Sequence, residues 1–126
     1  MAKTYNLKAD AQFLITDSAS NTINSIDTTH TFPTISSDTV VTGTVAIASG
    51  ATEQLNITTL GARAILFLKN DNSVGLANIR LYSNTTLIAT IKPQEWLFVP
   101  VDAVGTNVNV EALSGAADIT YILIEQ

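Results

Sequence analysis

The sequence predicts an all-β fold, an antiparallel β-sandwich of the jelly-roll kind, on three observations. Apolar and polar residues alternate with period two over most of the chain. Clusters of Gly, Asn, Asp and Ser interrupt the alternation about every 8–12 residues, the spacing of short strands in sandwiches and barrels. No segment combines a 3.6-residue apolar period with a helix cap.

The first predicted strand is "TYNLKADAQFLIT" (4–16), where Tyr5, Leu7, Ala9, Ala11, Phe13 and Ile15 fill the odd positions and polar residues most of the even ones. That is the pattern of a half-buried strand. The Ser/Thr/Asn-rich stretch 17–39 follows, with Ile23, Ile26 and Phe32 as its only large apolar anchors. It reads as a weak hairpin or as an extended arm, because so little apolar surface offsets the entropy of ordering it. The alternation returns in 40–48, 63–69, 77–83, 86–92, 107–113 and 118–125. The loop "NDNSVG" (70–75) reads as a hairpin loop, since it lacks the spacing and the bidentate Glu of a calcium-binding EF-hand. The last strand is apolar on both faces, with Ile119, Tyr121 and Leu123 on one and Ile122 and Ile124 on the other, and is expected at the centre of a sheet. With 126 residues, no internal repeat and no linker, the chain is expected to form one domain, 1–126, with 17–39 as a protruding hairpin or arm.

Composition narrows the function. Only 13% of residues are charged, against a usual share of about 25%, so Thr, Ser and Asn cover much of the surface. Such a coat desolvates at lower cost than a charged one; it reads first as a neutral polar coat on a β-rich protein and second as a surface shaped for extensive contact. A net charge of −5 with scattered Lys and Arg gives no electrostatic footprint for nucleic acid. Cysteine is absent, which removes disulfides, thiolate metal ligands and cysteine nucleophiles together. The first residues, "MAKTYNLKAD", have no apolar core of a secretory signal, and no run of 18 apolar residues offers a membrane span. The expectation is a protein made without a secretory signal, with no membrane partner.

Chemistry is sparse. His30 is the only histidine, so a catalytic triad or histidine metal site would rest on it alone, and its setting reads as strand or arm. The carboxylates sit mostly at turns, where they bond their own backbone. The glycines form neither a phosphate loop nor a dinucleotide fingerprint. No catalytic, cofactor or metal site is expected. Sugar-binding modules present flat aromatic rings, and Trp96 and Tyr82 are the two rings here that remain as candidates for that role.

"IKPQEWLFVPV" (91–101) contains the only tryptophan and two of the three prolines. Pro93 suits the second position of a turn, and Gln94 in the third favours type I, since type II asks for glycine there. Beyond the turn, Trp96, Phe98 and Pro100 point one way and Leu97, Val99 and Val101 the other. Pro100 has no N–H for a ladder, so the strand is expected to end at Val99. The competing reading is an edge strand whose second face another subunit covers, with Trp96 as anchor. The Trp96 face is assigned to the core first, and subunit or partner contact is kept as the alternative for Trp96, Phe98, Pro100, Ile23, Ile26 and Phe32.

Residues 60–126 resemble small all-β virion proteins of tailed bacteriophages, of the capsid-decoration and head or tail accessory kind. The shared pattern is a strand ending in Lys69-Asn70, an Asn/Asp loop, a paired strand, a Pro-x-Glu turn into an apolar strand, a Ser-Gly turn and an apolar terminal strand. The turn of such proteins usually carries glycine where this chain has Gln94. The resemblance implies a non-enzymatic virion protein, assembled in a bacterial cytoplasm. It would be a decoration or cement protein that binds and stabilises the lattice of the major capsid protein, as a homo-oligomer with a trimer among the options. A tail, baseplate or head-tail accessory protein is the nearest alternative. A carbohydrate-binding sandwich for host attachment is the alternative from another class.

Overall fold

A computed structural model describes residues 4–6, 8–31, 35–36, 40–55, 63–102 and 108–125. All regular structure among them is β, and no helix there is long and apolar enough to cross a membrane. The chain divides into two compact units, Met1–Ser36 and Ser37–Gln126.

The first unit is one antiparallel hairpin. Strands β1 (Thr4–Tyr5) and β4 (Ile35–Ser36) pair, and β2 (Lys8–Thr16) pairs with β3 (Thr22–Thr31) in a register that sets Phe13 opposite Ile26 and slips at Ile15/Thr16. Asp17 closes the turn by accepting from the Ala19 and Asn21 N–H groups, each at 2.9 Å, and Ser20 takes a left-handed φ of 65°. The stretch 17–39 is therefore not an element of its own; 17–21 make the turn and Thr22–Thr31 the returning strand, while 32–34 and 37–39 lie outside the described residues. The expectation that β2 is a half-buried strand is corrected. Ala9 and Ala11 are partly buried, but Phe13 and Ile15 are more than half exposed, because β2 pairs with β3 alone and β3 brings few apolar side chains.

The second unit has two four-stranded antiparallel sheets. Its strands are β5 (Val40–Ile47), β6 (Thr52–Gln54), β7 (Arg63–Asn70), β8 (Ile79–Ser83), β9 (Thr86–Ile91), β10 (Trp96–Asp102), β11 (Val108–Ala112) and β12 (Ala117–Glu125). The first sheet runs β10-β7-β12-β5 and the second β6-β11-β8-β9. Alternate residues of both enter one core: Leu66, Leu68, Ile119 and Leu123 from the first, Ile79, Leu81, Val108 and Val110 from the second, all fully buried. This is consistent with a β-sandwich. As expected from its two apolar faces, β12 is central, between β7 and β5. Gly43 lies opposite Tyr121, and a Cβ there would sit 3.2 Å from the tyrosine ring, so this strand position admits a side chain only if the ring shifts.

Every connection from β5 to β6, β7 to β8, β9 to β10 and β11 to β12 passes from one sheet to the other. "NDNSVG" therefore belongs to a crossover, not a hairpin loop. Two buried amides tie three of these connections together, those after β7, β9 and β11. Asn70 Nδ2 donates to the carbonyls of Ala77 (2.9 Å) and Ile91 (3.2 Å). Its Oδ1 accepts from the Asn72 N–H at 3.1 Å. Asn72 Nδ2 in turn donates to Ala77 and Ala116 carbonyls, each at 3.2 Å, and its Oδ1 accepts the Asp118 N–H at 3.0 Å.

The turn 92–95 is pinned to the same place. Glu95 N–H donates to Lys92 O and the Glu95 carboxylate accepts from Lys92 N–H, while Gln94 N–H donates to Asn70 O at 2.8 Å. Gln94 has φ 69°, the left-handed third position of a type II turn, which corrects the type I expectation. Its side chain offsets the backbone strain: Nε2 donates to Asp71 O (3.1 Å) and Asn72 O (2.7 Å). Local preference asked for glycine, and tertiary hydrogen bonds hold glutamine in its place.

Two outcomes follow from this knot. Asn72→Asp sets a carboxylate oxygen against two carbonyls and should destabilise by about 3 kcal/mol or more, read as a lowered urea midpoint at unchanged slope. Gln94→Ala, which keeps the strain and loses two bonds, should cost about 1–2 kcal/mol, and Gln94→Gly less, because glycine removes the strain.

Candidate functional site

β10 is the edge of the first sheet, paired only with β7. Leu97 and Val99 are partly buried and Val101 is buried, so the other face, with Trp96, Phe98 and Pro100, points outward. Trp96 is 51% exposed and Phe98 40%. The assignment of the Trp96 face to the core is thus corrected: the strand has two apolar faces, and the Leu97–Val101 face fills the interior. The expected end at Val99 is also corrected. The strand continues through Pro100, opposite Ile65, to Asp102, and an edge tolerates a residue with no N–H.

The outward face extends across the sheet. Cross-strand from β10 stand Lys69, Phe67 and Ile65, and beyond Phe67 stands Ile122 of β12. The rings of Phe67 and Trp96 meet with centroids 6.0 Å apart at a tilt of 36°. Around this aromatic cluster the charges are few. Lys69 lies 3.8 Å from Asp71, whose second carboxylate oxygen accepts from the Thr120 hydroxyl.

A second apolar surface lies on the hairpin unit. Phe13, Ile15 and Ile26 share one face of β2–β3, Leu14 lies on the opposite face, and Ile23 stands near the turn; each of the five is more than half exposed. Ile23 and Ile26 were singled out from sequence as contact residues and are exposed here. Phe13, Leu14 and Ile15 were not; the signal available was that their partner strand is mostly Ser, Thr and Asn. Phe32 lies outside the described residues. The hairpin's polar half is held by charge: Asp10 accepts from the Thr29 hydroxyl at 2.6 Å and pairs with Lys8 at 3.3 Å, and these hold its carboxyl below the ordinary range, the Thr29 bond most. The backbone N–H of Asn21, then its side-chain amide and Ala19 N–H, depress Asp17 in the same way.

The outer face of the second sheet differs in chemistry. Arg80 lies opposite Glu111 and Tyr82 opposite Asn109, with the Tyr82 hydroxyl donating to Glu111 Oε2 at 3.0 Å. Arg80 Nε is buried with no hydrogen-bond partner among the described residues. Tyr82 and Trp96 belong to different sheets, each on an outer face, so they do not form one aromatic platform. An open groove of about 470 Å³ runs between Gly75–Asn78 and Leu113–Ala116, lined by small and apolar residues together with Asn78, with no titratable side chain. Among the described residues no group of three His, Cys, Asp or Glu could hold a metal ion, and His30 is placed only as the cross-strand neighbour of Ala9.

Comparison with protein-family models, with curated proteins and with solved structures finds no match to this chain.

The outward position of the single tryptophan is directly measurable. Trp96→Ala should cost about 1 kcal/mol or less, whereas Leu68→Ala in the core should cost about 3 kcal/mol, compared by urea unfolding.

Proposed function

We propose that the chain is a structural protein of a tailed-phage virion, a capsid decoration or cement protein that binds the major capsid protein lattice without catalysis, and that 37–126 is a jelly roll. The observation that carries the reading is the set of large exposed apolar side chains, Trp96 and Phe98 on β10 and Phe13, Leu14, Ile15, Ile23 and Ile26 on the hairpin. Large exposed apolar side chains clustered in patches are the mark of protein contact, and Trp is the residue most enriched at the energetic centre of interfaces. Strand order supports the fold assignment: each strand of one sheet is joined to a strand of the other through β5–β6, β7–β8, β9–β10 and β11–β12. Jelly rolls serve viral capsids and lectins alike, so fold alone does not choose between them.

The sequence features that resemble phage virion proteins are in physical contact. Lys69-Asn70, the Asn/Asp loop, the Pro-Gln-Glu turn and the Ser-Gly turn are the segments that Asn70, Asn72 and Gln94 bond together. In this chain those segments form one structural device. In this reading the protein occurs as a homo-oligomer in the virion.

Stabilisation of the lattice follows from selective binding: a protein that binds only the assembled shell adds about 2.7 kcal/mol per site at a hundredfold excess over Kd. A second reading, glycan binding, is favoured by one observation, the polar array of Arg80, Tyr82, Asn109 and Glu111, in which Arg80 Nε is buried with no hydrogen-bond partner among the described residues. Capsids of the encoding phage, stripped of accessory proteins, should bring the chain down on co-sedimentation and gain resistance to heat. Binding to purified tails instead would move the assignment to a tail accessory protein. No binding to either at saturating protein would remove the virion reading.

A further inference from the structure

We infer that two copies of this chain join through β5, edge to edge and antiparallel about a two-fold axis at Gly43, so that the first sheet of one copy continues into that of the other. The inference gives a contact to the homo-oligomer of the reading above and rests on that part of it alone. A strand edge offers unpaired N–H and C=O groups to any second strand, and proteins blunt such edges with short strands, charges, proline or bulges. Among the described residues every edge but one is blunted. β1 and β4 have two residues each and β6 has three. β2 carries Lys8 and Asp10, and β3 carries Asp27. β10 carries Pro100, and β9 has Ile88 as an extra residue in its ladder with β8. β5 has none of these devices: it is eight residues long, without charge or proline, in unbroken register with β12, the only described strand that pairs with it.

The strand that fits this edge is β5 itself. Residues 40–46 read Val-Val-Thr-Gly-Thr-Val-Ala, nearly the same in both directions about Gly43. Antiparallel pairing centred there sets Val41 opposite Val45 of the second copy, Thr42 opposite Thr44 and Val40 opposite Ala46. A two-fold contact needs this property, because each residue meets the one equally far from the axis. The faces agree as well. Residues directly opposite in an antiparallel pair point to the same side, and Val41 and Val45 both pack on the core while Thr42 and Thr44 are both exposed on the other face. A slip of one residue would set Val41 against the outward Ala46 and lose the match. Val41 and Val45 are only half-buried in one copy, and the added strand covers their open side. No charged residue stands between Asp38 and Glu53 in the sequence, so the new ladder sets no like charges opposite one another.

Area sets the strength of the contact. Eight residues at about 3.4 Å each make an edge about 27 Å long, and two sheets about 10 Å apart present a side roughly 20 Å deep once their outer side chains are included. Each copy therefore buries on the order of 500 Å², and the pair about 1,000 Å², the low end of specific interfaces. The dimer is reversible and dissociates on dilution.

Charge on the edge tests the contact. Light scattering of the full chain should show a dimer that dissociates on dilution, and the double variant Thr42→Lys, Thr44→Lys should weaken it about tenfold or more, because two lysine pairs then stand directly opposite. Both threonines are exposed, so the urea midpoint of the dilute monomer should stay where it is. The absence of cysteine gives a second readout that needs no charge. Thr42→Cys and Thr44→Cys chains, mixed in equal amounts and oxidised with diamide, should give several times more disulfide-linked dimer than either variant alone. An oligomer untouched by the lysines and giving no excess product from the mixture would overturn the inference and leave the homo-oligomer to another surface. A monomer at several hundred micromolar whose binding to stripped capsids is abolished by the two lysines would overturn it in favour of a strand of the capsid protein at the same edge. A monomer whose capsid binding ignores them would remove the β5 contact and the homo-oligomer together. Failure to bind capsids at all leaves a lysine-sensitive dimer standing.

Discussion

Two asparagine side chains tie together three of the connections that pass between the two sheets of the second unit. Asn70 is completely buried and Asn72 almost so, and the other buried side chains among the described residues are apolar or aromatic. Burying an amide without partners costs a few kcal/mol, yet these two bond to Ala77, Ile91, Ala116 and Asp118 and to each other. The crossover after β7, the turn before β10 and the turn before β12 are thereby fixed relative to one another. Gln94 depends on the same knot, since only its bonds to Asp71 and Asn72 make a left-handed glutamine tolerable.

The knot also sets where function can reside. By fixing the turn 92–95 it fixes the register in which β10 leaves it, with Leu97, Val99 and Val101 toward the core and Trp96, Phe98 and Pro100 away from it. A strand apolar on both faces can bury only one of them when it lies at a sheet edge with a single layer behind it. The outward aromatic face is thus a consequence of position. The hairpin repeats the situation in a thinner element: one ladder, no second layer of its own, and apolar side chains near the turn exposed.

Much of the fold was legible in the sequence because period-two alternation is a local property. The strands at 40–47, 63–70, 79–83, 86–91, 108–112 and 117–125 fall where the alternation and the turn clusters place them, and the central position of β12 follows from its two apolar faces. The three-residue strand Thr52–Gln54 was missed, since a ladder to β11 and no pattern of its own makes it a strand. The crossover at 71–78 looked like a hairpin loop because turn chemistry does not reveal which sheet the next strand joins. Asn70 and Asn72 read as ordinary loop asparagines; their burial depends on residues up to 46 positions away in sequence.

The sequence by itself determined that the chain is β throughout, where its turns lie, and which side chains share a face of each strand, because these follow from backbone geometry and neighbouring residues. Tertiary structure alone decided which of two apolar faces is covered. For Trp96, Phe98, Phe13 and Ile15 the alternation is the same as for a core strand, and only the number of layers around β10 and β2 turns them into surface. Gln94 makes the same point for the backbone: its intrinsic preference favours one turn, and hydrogen bonds from a distant loop select the other.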